Sequence, residues 1–426
     1  GGHFIDAPYG SYQKAYNQTL ELLKLDEVVI YEAAFLFDGL FVMTDILVKK
    51  GNQVRLIEVK AKSFDSTQAN NFIGSRGDIR SGWRPYLFDI AFQSYVAKKC
   101  VPHLHFDTFF LMADKSKVAT IDGLNQMFRL SDNGDFRKDV EVKISAAEAQ
   151  KTSVLSEVNV TEIVDLIIKD NYRYSDNLYF SRAVTLLRDS YQNQSYSNWP
   201  TNYSRCKSCE FKIGLDQKKA GFKSGFEYCF TKQHNWTETD FNLPNVFEIW
   251  NFRGQKLLEE NRLFLHQLNQ DDFKVVEEPN VMSSRERRWI QVEKTLETNP
   301  APYVEKTTLK EEMDSWIFPL HFIDFETSAV ALPFNKGRRP YEQVAFQFSH
   351  HMCHADGTIE HASEYINANP GEFPNFKFVA ALKKSLDNDQ GTIFRFATHE
   401  NSILNAIKDQ LNDSDYHEKD ELISFI

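Results

Sequence analysis

Between residues 12 and 25, apolar side chains recur at Tyr16, Leu20 and Leu23 with polar residues between them, the spacing of a helix with one buried face. Three runs rich in branched and aromatic residues follow, Glu27–Phe35, Leu40–Lys49 and Gln53–Ala61; the turn-forming pairs Asp38-Gly39 and Gly51-Asn52 separate them, which predicts a β-meander. A polar loop from Lys62 to Pro85 with Gly74, Gly77 and Gly82 leads into a predicted helix, Tyr86–Lys99, and a strand, Phe106–Met112. The middle of the chain reads as helical from Thr161 to about Asn193 and again from Val246 to about Leu268. The last part predicts strands at Leu320–Phe325, Gln343–His351 and Ile359–Ile366, a helix at Phe373–Leu386, a strand at Gly391–Ala397 and a helix at Glu400–Leu411. Asp420–Ile426 reads as strand-like, and the first residue is Gly1, so both ends look cut.

The pattern describes an α/β protein in three parts: residues 1–150, residues 151–318 and residues 319–426. A length of 426 residues favours two or three domains. Hydrophobic residues at 42%, with only 18 Gly and 13 Pro, exclude a disordered or fibrous chain. The longest apolar stretch, Ala33–Met43, is broken by Asp38 and is far short of a bilayer span, so no membrane partner is expected. Five cysteines without an apolar leader point to a reducing, cytoplasmic setting and to ligation before disulfides. A formal charge of -11 means that any nucleic acid must be held by local basic patches.

The first candidate site lies on the meander. Asp45 falls on its second strand, and Leu56-Ile57-Glu58-Val59-Lys60 on its third puts Glu58 and Lys60 on one face. Two carboxylates can hold divalent cations that polarise a phosphodiester, while an ammonium orients or deprotonates the attacking water and offsets developing charge. The tripeptide itself recurs at Glu141-Val142-Lys143 and Glu210-Phe211-Lys212, so its place on a buried strand, before a helix with Asp89 and Gln93 one turn apart, is what sets it apart; the alternative is ordinary surface charge. Residues 12–113 resemble the RecB-type nuclease core of the PD-(D/E)xK superfamily. The resemblance implies metal-binding roles for Asp45 and Glu58, a catalytic role for Lys60 and a contribution from Gln93; the family's Gln-x-x-x-Tyr motif has Ala97 at its last position here, with Tyr95 nearby. Glu32 is either a further acidic ligand or a solvated strand end.

The second is Cys206-Lys207-Ser208-Cys209 followed by Cys229, a turn in which two thiolates can grip one metal or cluster edge. A fourth ligand would come from Cys100, Cys353, His234 or a cysteine before Gly1, although Cys100 and Cys353 read more readily as core thiols. The set suits a [4Fe–4S] cluster, a Zn²⁺ ion or thiols without a ligand role. RecB-type nucleases related to the CRISPR-adaptation nucleases hold such a cluster with one cysteine before the core and three after it; here three follow the core, with a longer gap to Cys229. The basic run Arg285, Arg287 and Arg288 beside Trp289 is either a phosphate contact or a solvated linker.

The third is Asp324-Phe325-Glu326, whose carboxylates share one face of a strand about 7 Å apart. Ile-Asp-Phe-Glu-Thr at the end of a first strand, within a β-β-β-α-β-α order, resembles the first motif of DnaQ-like 3′–5′ exonucleases (the DEDD superfamily) on a ribonuclease-H-like sheet. Glu400 stands where that family has its second acid, and the third motif is not found before Ile426. Lys336, Arg338 and Arg339 either guide a phosphate strand to this site or form a charged hairpin.

Together, a RecB-like core, a helical cysteine-containing middle and a DnaQ-like last part resemble a bacterial family catalogued only as a domain of unknown function. The resemblance implies a deoxyribonuclease using Mg²⁺ or Mn²⁺, with DNA as partner, other partner proteins unknown, and DNA repair and antiphage (antiviral) defence both compatible. Two rivals remain: a nucleic-acid-binding scaffold with inactive sites, and an RNA-directed exonuclease.

Overall fold

A computed structural model describes residues 1–7, 10–68, 71–131, 139–175, 178–193, 200–276 and 282–426. The chain divides into two compact units, one made of Gly1–Asn193 with Trp316–Ile426 and the other of Gln194–Ser315.

The first unit opens on a six-stranded sheet in sequential order, β1 (His3–Phe4), β2 (Glu27–Phe37), β3 (Leu40–Lys50), β4 (Gln53–Phe64), β5 (His105–Asp114) and β6 (Leu155–Asn159). The meander forms as the alternation requires, with antiparallel pairing of β2 to β3 and β3 to β4, whereas β4 and β5 run parallel and are bridged by a helix. Helix α1 (Tyr12–Leu22) docks on β2 through fully buried Thr19, whose hydroxyl accepts the Ala34 amide at 2.9 Å. The bridging helix α2 (Arg84–Cys100) has Pro85 in its first turn, carries Lys98 and Lys99 in its last turn, and buries Leu87, Ile90, Ala91, Val96 and Ala97 completely. The outer strands β1 and β6 have no counterpart in the sequence reading. Both are too short for a periodicity to declare itself, and each is a strand only because a neighbour offers an edge.

The predicted helix over residues 161–193 is two helices, α3 (Thr161–Ile168) and α4 (Phe180–Gln192), with a small antiparallel pair at Arg173–Ser175 and Leu178–Tyr179 between them. Asp170 breaks it: its backbone is left-handed (φ 64°), and its carboxylate accepts the Ser181 amide at 2.9 Å at the start of α4.

The second unit packs α5 (Tyr203–Lys207), α6 (Gly225–His234) and α7 (Ser284–Leu296) around an aromatic core with Tyr203, Phe226, Phe230, Trp236 and Phe247. The helix predicted over residues 246–268 is three single turns instead, Val246–Glu248, Gln255–Glu259 and Leu265–Gln267. Asn251 and Asn261 adopt left-handed backbone between them (φ 44° and 54°), and a Cβ on Gly254 would lie 2.6 Å from the Tyr203 ring, so the apolar spacing serves a compact irregular core. The basic run is no solvated linker: it begins α7, whose start is closed by a reciprocal Ser283–Glu286 capping box, and Arg287 stacks 3.9 Å above Trp250.

The chain re-enters the first unit as a four-stranded sheet ordered β9-β8-β7-β10, from β7 (Leu320–Ser328), β8 (Val344–Cys353), β9 (Ile359–Ile366) and β10 (Ile393–Phe394). The first three are antiparallel and β10 lies parallel to β7. Helices α8 (Asn375–Leu386), α9 (His399–Asn412) and α10 (Lys419–Phe425) cover one face, on a core of Phe325, Phe348, Phe378, Leu382, Ile403 and Ile407. The final segment is therefore helical, not strand-like: Asp420 and Glu421 sit in its first turn and Leu422 is buried against that core.

The two sheets of this unit are tied by loops. The Ala119 amide donates to Arg338 O and Gly337 returns a bond to Ala119 O, both at 2.8 Å, while Gly123 donates to Phe334 O at 2.7 Å. The Lys336 amide adds a bond to Asp122 Oδ1 at 2.8 Å, and Arg339 donates to Ser116 O at 2.8 Å.

Candidate functional site

Pairing between β3 and β4 stops at Ile46 and Ile57, so Asp45 and Glu58 stand where the strands part. Here the Val59 amide donates to Asp45 Oδ2 at 2.7 Å in place of a ladder carbonyl. The β2–β3 pairing skips Glu32 opposite Asp45, and Glu32 has a positive φ of 56° inside a strand, a conformation a non-glycine residue holds only at a cost of about 1–3 kcal/mol. The strain therefore sits at the same parting as the acids.

Glu58 is 6% exposed, while Val59 on the opposite face is open. Lys60 Nζ donates to Glu58 Oε1 at 2.7 Å and to Asp89 Oδ2 on α2 at 2.8 Å; Gln93 Nε2 donates to Asp89 Oδ1 at 3.2 Å. The Gln93 side-chain oxygen is buried without a partner among the described residues. Burial pushes the Glu58 carboxyl up, the Asp45 charge adds to this, and Lys60 opposes it. For Lys60, burial works against the charge, but hydrogen bonds to Asp89 and Glu58 outweigh it and raise its pKa. The lysine thus stays an ammonium between two carboxylates. It is also half-buried, not a free sheet-edge group, with Lys62 held beside it over the Trp83 and Tyr86 rings. Tyr95 packs edge-on against Phe180.

On β7, Asp324 and Glu326 are both exposed and lie opposite Ser349 and Gln347 of β8. Glu400, in the first turn of α9, is 4% exposed and its Oε2 is buried without a hydrogen bond among the described residues. A contact of 3.1 Å between Thr327 Oγ1 and His399 Nε2 ties the start of α9 to the strand that carries Asp324 and Glu326. The basic loop beyond them is docked, not open: Arg338 lies 3.7 Å over the Phe373 ring and pairs with Glu342 at 3.2 Å, leaving Lys336 and Arg339 exposed.

In the second unit Cys206, Cys209 and Cys229 are half-buried against the aromatic core. Burial raises the Cys206 and Cys229 thiols, and the neighbouring cysteines raise them further. His234 is taken up by Thr201 at Nε2 and Asn261 at Nδ1, both at 2.8 Å. Cys100 packs on the first sheet's core, and the Cys353 thiol meets the His354 carbonyl at 3.7 Å. Among the described residues, no three His, Cys, Asp or Glu side chains are gathered as a metal-holding group.

The sequence reading missed two polar features. Asp114, at the end of β5, is fully buried and accepts from Ser66, Ser116 and Ser156. A row of polar groups crosses the second sheet with buried His321 and His350 at its centre: Asp389 lies 2.9 Å from His321, His321 2.8 Å from His350 and His350 3.0 Å from Ser363. The members of each come from distant segments, so no local motif announces them.

The fold is mixed α/β, and residues 321–424, which span the second sheet and its helices, match the family described as "Domain of unknown function (DUF2779)". No curated protein and no solved structure matches the chain. No helix of the described residues is long and apolar enough to cross a membrane.

Proposed function

We propose that the chain is a metal-dependent nuclease acting on DNA, with a RecB-like site on the first sheet and a DnaQ-like site on the second. The observation that carries this reading is the convergence of Asp45, Glu58, Lys60, Asp89 and Gln93, drawn from three elements, at the point where β3 and β4 separate. A buried glutamate beside another carboxylate, held next to a paired ammonium and strained backbone, is a costly arrangement for a structural role alone.

The donors fit a hard divalent cation, Mg²⁺ or Mn²⁺: Asp45 and Glu58 offer carboxylate oxygens, and the Gln93 oxygen is buried with its acceptor capacity unused. Such an ion, when bound, polarises a phosphodiester as a Lewis acid. Lys60, kept protonated by its two carboxylates, donates hydrogen bonds to the reacting phosphate and offsets its charge instead of acting as a base. Asp89 and Gln93 position Lys60. On the second sheet Asp324 and Glu326, with Glu400 at the start of α9, are the corresponding acidic candidates, and the orphaned Glu400 oxygen would suit a cation.

The three thiols suit soft-metal ligation, in a [4Fe–4S] cluster or with Zn²⁺ as the alternative, since a metal would displace the protons that burial now holds on them.

The test is digestion of end-labelled single- and double-stranded DNA and RNA with Mg²⁺, Mn²⁺ or EDTA, on the wild-type chain and on Lys60→Ala and Asp324→Ala. Cleavage that needs the metal and falls in one or both variants supports the reading. Intact substrates under every metal condition would overturn it.

A further inference from the structure

On the face of the second sheet away from the helices, an irregularity in strand pairing gathers two histidines. Along β8 and β9, His350 pairs with Ser363 but His351 pairs with His361, so Ala362 is an extra residue on β9. A bulge of this kind interrupts the alternation and re-aims the side chains around it. It brings His361 and Glu364, three positions apart, into contact, with His361 Nε2 at 3.2 Å from Glu364 Oε2. The other nitrogen of the same ring, Nδ1, lies 3.3 Å from His351 Nε2, and the two rings meet at 67° instead of stacking. Phe348, three residues before His351, belongs to the helix-covered core, so His351 points to the opposite face. His351, His361 and Glu364 are all exposed.

These contacts specify a tautomer. The Glu364 carboxylate can only accept, so His361 carries its hydrogen on Nε2 and keeps a lone pair on Nδ1, directed at His351. In metal sites a carboxylate orients a ligating imidazole from behind in this way. The spacing of the facing nitrogens agrees. At 3.3 Å they are farther apart than the about 2.9–3.0 Å usual between an N–H donor and its acceptor. Two nitrogens bound at about 2.0–2.1 Å to a tetrahedral ion lie about 3.3–3.4 Å from each other. Imidazole nitrogen suits Zn²⁺, Cu²⁺ or Ni²⁺, whereas Mg²⁺ prefers oxygen.

We propose that His351 and His361 chelate a borderline transition-metal ion of the Zn²⁺ type, which pins β9 to β8, with Glu364 as a positioning residue. Two protein ligands leave the ion's other coordination positions to solvent or to an oxygen of a bound molecule. Ser349 lies opposite Asp324 on one side and Glu364 on the other, so the ion sits on the sheet face that carries the Asp324 carboxylate. The site stands apart from the nuclease reading, because neither imidazole belongs to the acidic sets assigned to Mg²⁺ or Mn²⁺.

The experiment titrates Zn²⁺ alone into the chelator-stripped full chain by calorimetry, comparing wild type with His351→Asn, His361→Asn, Glu364→Ala and His354→Asn. His354 is on the same hairpin but pairs with Glu360 at 3.1 Å, and is the control. Melting temperatures without metal should match wild type in the first three variants, whose replaced side chains are exposed, which establishes that they fold. Wild type and His354→Asn are expected to bind one Zn²⁺ more per chain than His351→Asn or His361→Asn. Glu364→Ala should keep that ion with about tenfold weaker affinity, and excess Mg²⁺ should not displace it. Zinc held by Cys206, Cys209 and Cys229 is common to all five chains and cancels in the comparison. Equal Zn²⁺ binding by wild type and both of the first two variants overturns the proposal. So does an equal loss in His354→Asn, unchanged affinity in Glu364→Ala, or displacement by Mg²⁺. Cleavage is scored separately: a chain that cuts DNA without this ion argues against the histidine site alone, and one that binds Zn²⁺ here but cuts nothing argues against the nuclease reading alone.

Discussion

Lys60 on β4 donates to Asp89 on α2, a residue 29 positions later, at 2.8 Å, so the catalytic candidate is held by an element the Glu-x-Lys run does not contain. Lys60→Ala therefore does two things. It removes an electrostatic contact to the reacting phosphate, with a loss of cleavage at this site of about 10²-fold or more. It also leaves Glu58 buried without its partner, with a loss of stability of about 2 kcal/mol. Single-turnover cleavage and urea unfolding check the two parts; undiminished cutting in a chain that also carries Asp324→Ala would contradict the assignment.

Asp114 ties β4, β5 and β6 together. Burial alone would raise its pKa, but hydrogen bonds from Ser156, Ser66 and Ser116 outweigh it and hold the carboxyl well below 3.8. A folded-state pKa depressed in this way gives stability that is fully present above the unfolded value and is lost as pH falls through the folded one. Asp114→Asn is expected to cost about 2–3 kcal/mol at pH 7. The gap to wild type should narrow below pH 3.8, which urea unfolding at a series of pH values reads directly. A gap constant with pH would show that the charge of Asp114 is not what matters.

Glu400 leaves a carboxylate oxygen buried and unpartnered at the start of α9. Glu400→Gln should keep or raise the melting temperature without metal and lose much of the upward shift that Mn²⁺ gives the wild type. Asp324→Ala combined with Glu326→Ala should remove that shift at the second sheet while leaving binding at Asp45 and Glu58. Identical Mn²⁺ shifts in all these variants would place no metal on the second sheet.

Anaerobically purified protein is expected to be brown if Cys206, Cys209 and Cys229 ligate a cluster, and Cys206→Ser to be colourless and less stable. Metal analysis gives the alternative directly: one zinc per chain without colour assigns Zn²⁺, and neither metal leaves plain thiols.

Arg338 and Lys336 share a loop but not a role. Arg338→Ala removes a cation–π contact and an ion pair and should lower stability by about 1–2 kcal/mol. Lys336→Ala, on an exposed side chain, should leave the melting temperature alone and weaken DNA binding with a shallower salt dependence. The reverse pattern would make Arg338 the phosphate contact.

The sequence by itself determined the elements whose burial is periodic. The meander at residues 27–64, helix α2, strand β7 and helices α8 and α9 follow from alternation or from three-to-four spacing, because one face of each must leave water. It also singled out Asp45, Glu58, Lys60, Gln93, Asp324, Glu326 and Glu400, since chemistry-bearing residues at fixed offsets on such elements are readable locally. Only the tertiary structure decided what lies between distant segments. Strands β1 and β6 exist by edge pairing, the Val246–Leu268 pattern folds into turns because Gly254 must admit the Tyr203 ring, and Asp420–Ile426 is a helix because Leu422 meets a helical core. The same holds at the sites: parting of β3 and β4 at Asp45, capture of Lys60 by Asp89 and docking of Arg338 on Phe373 are contacts across the chain. No local period encodes them, because the free energy that fixes each belongs to a pair of residues brought together only by the fold.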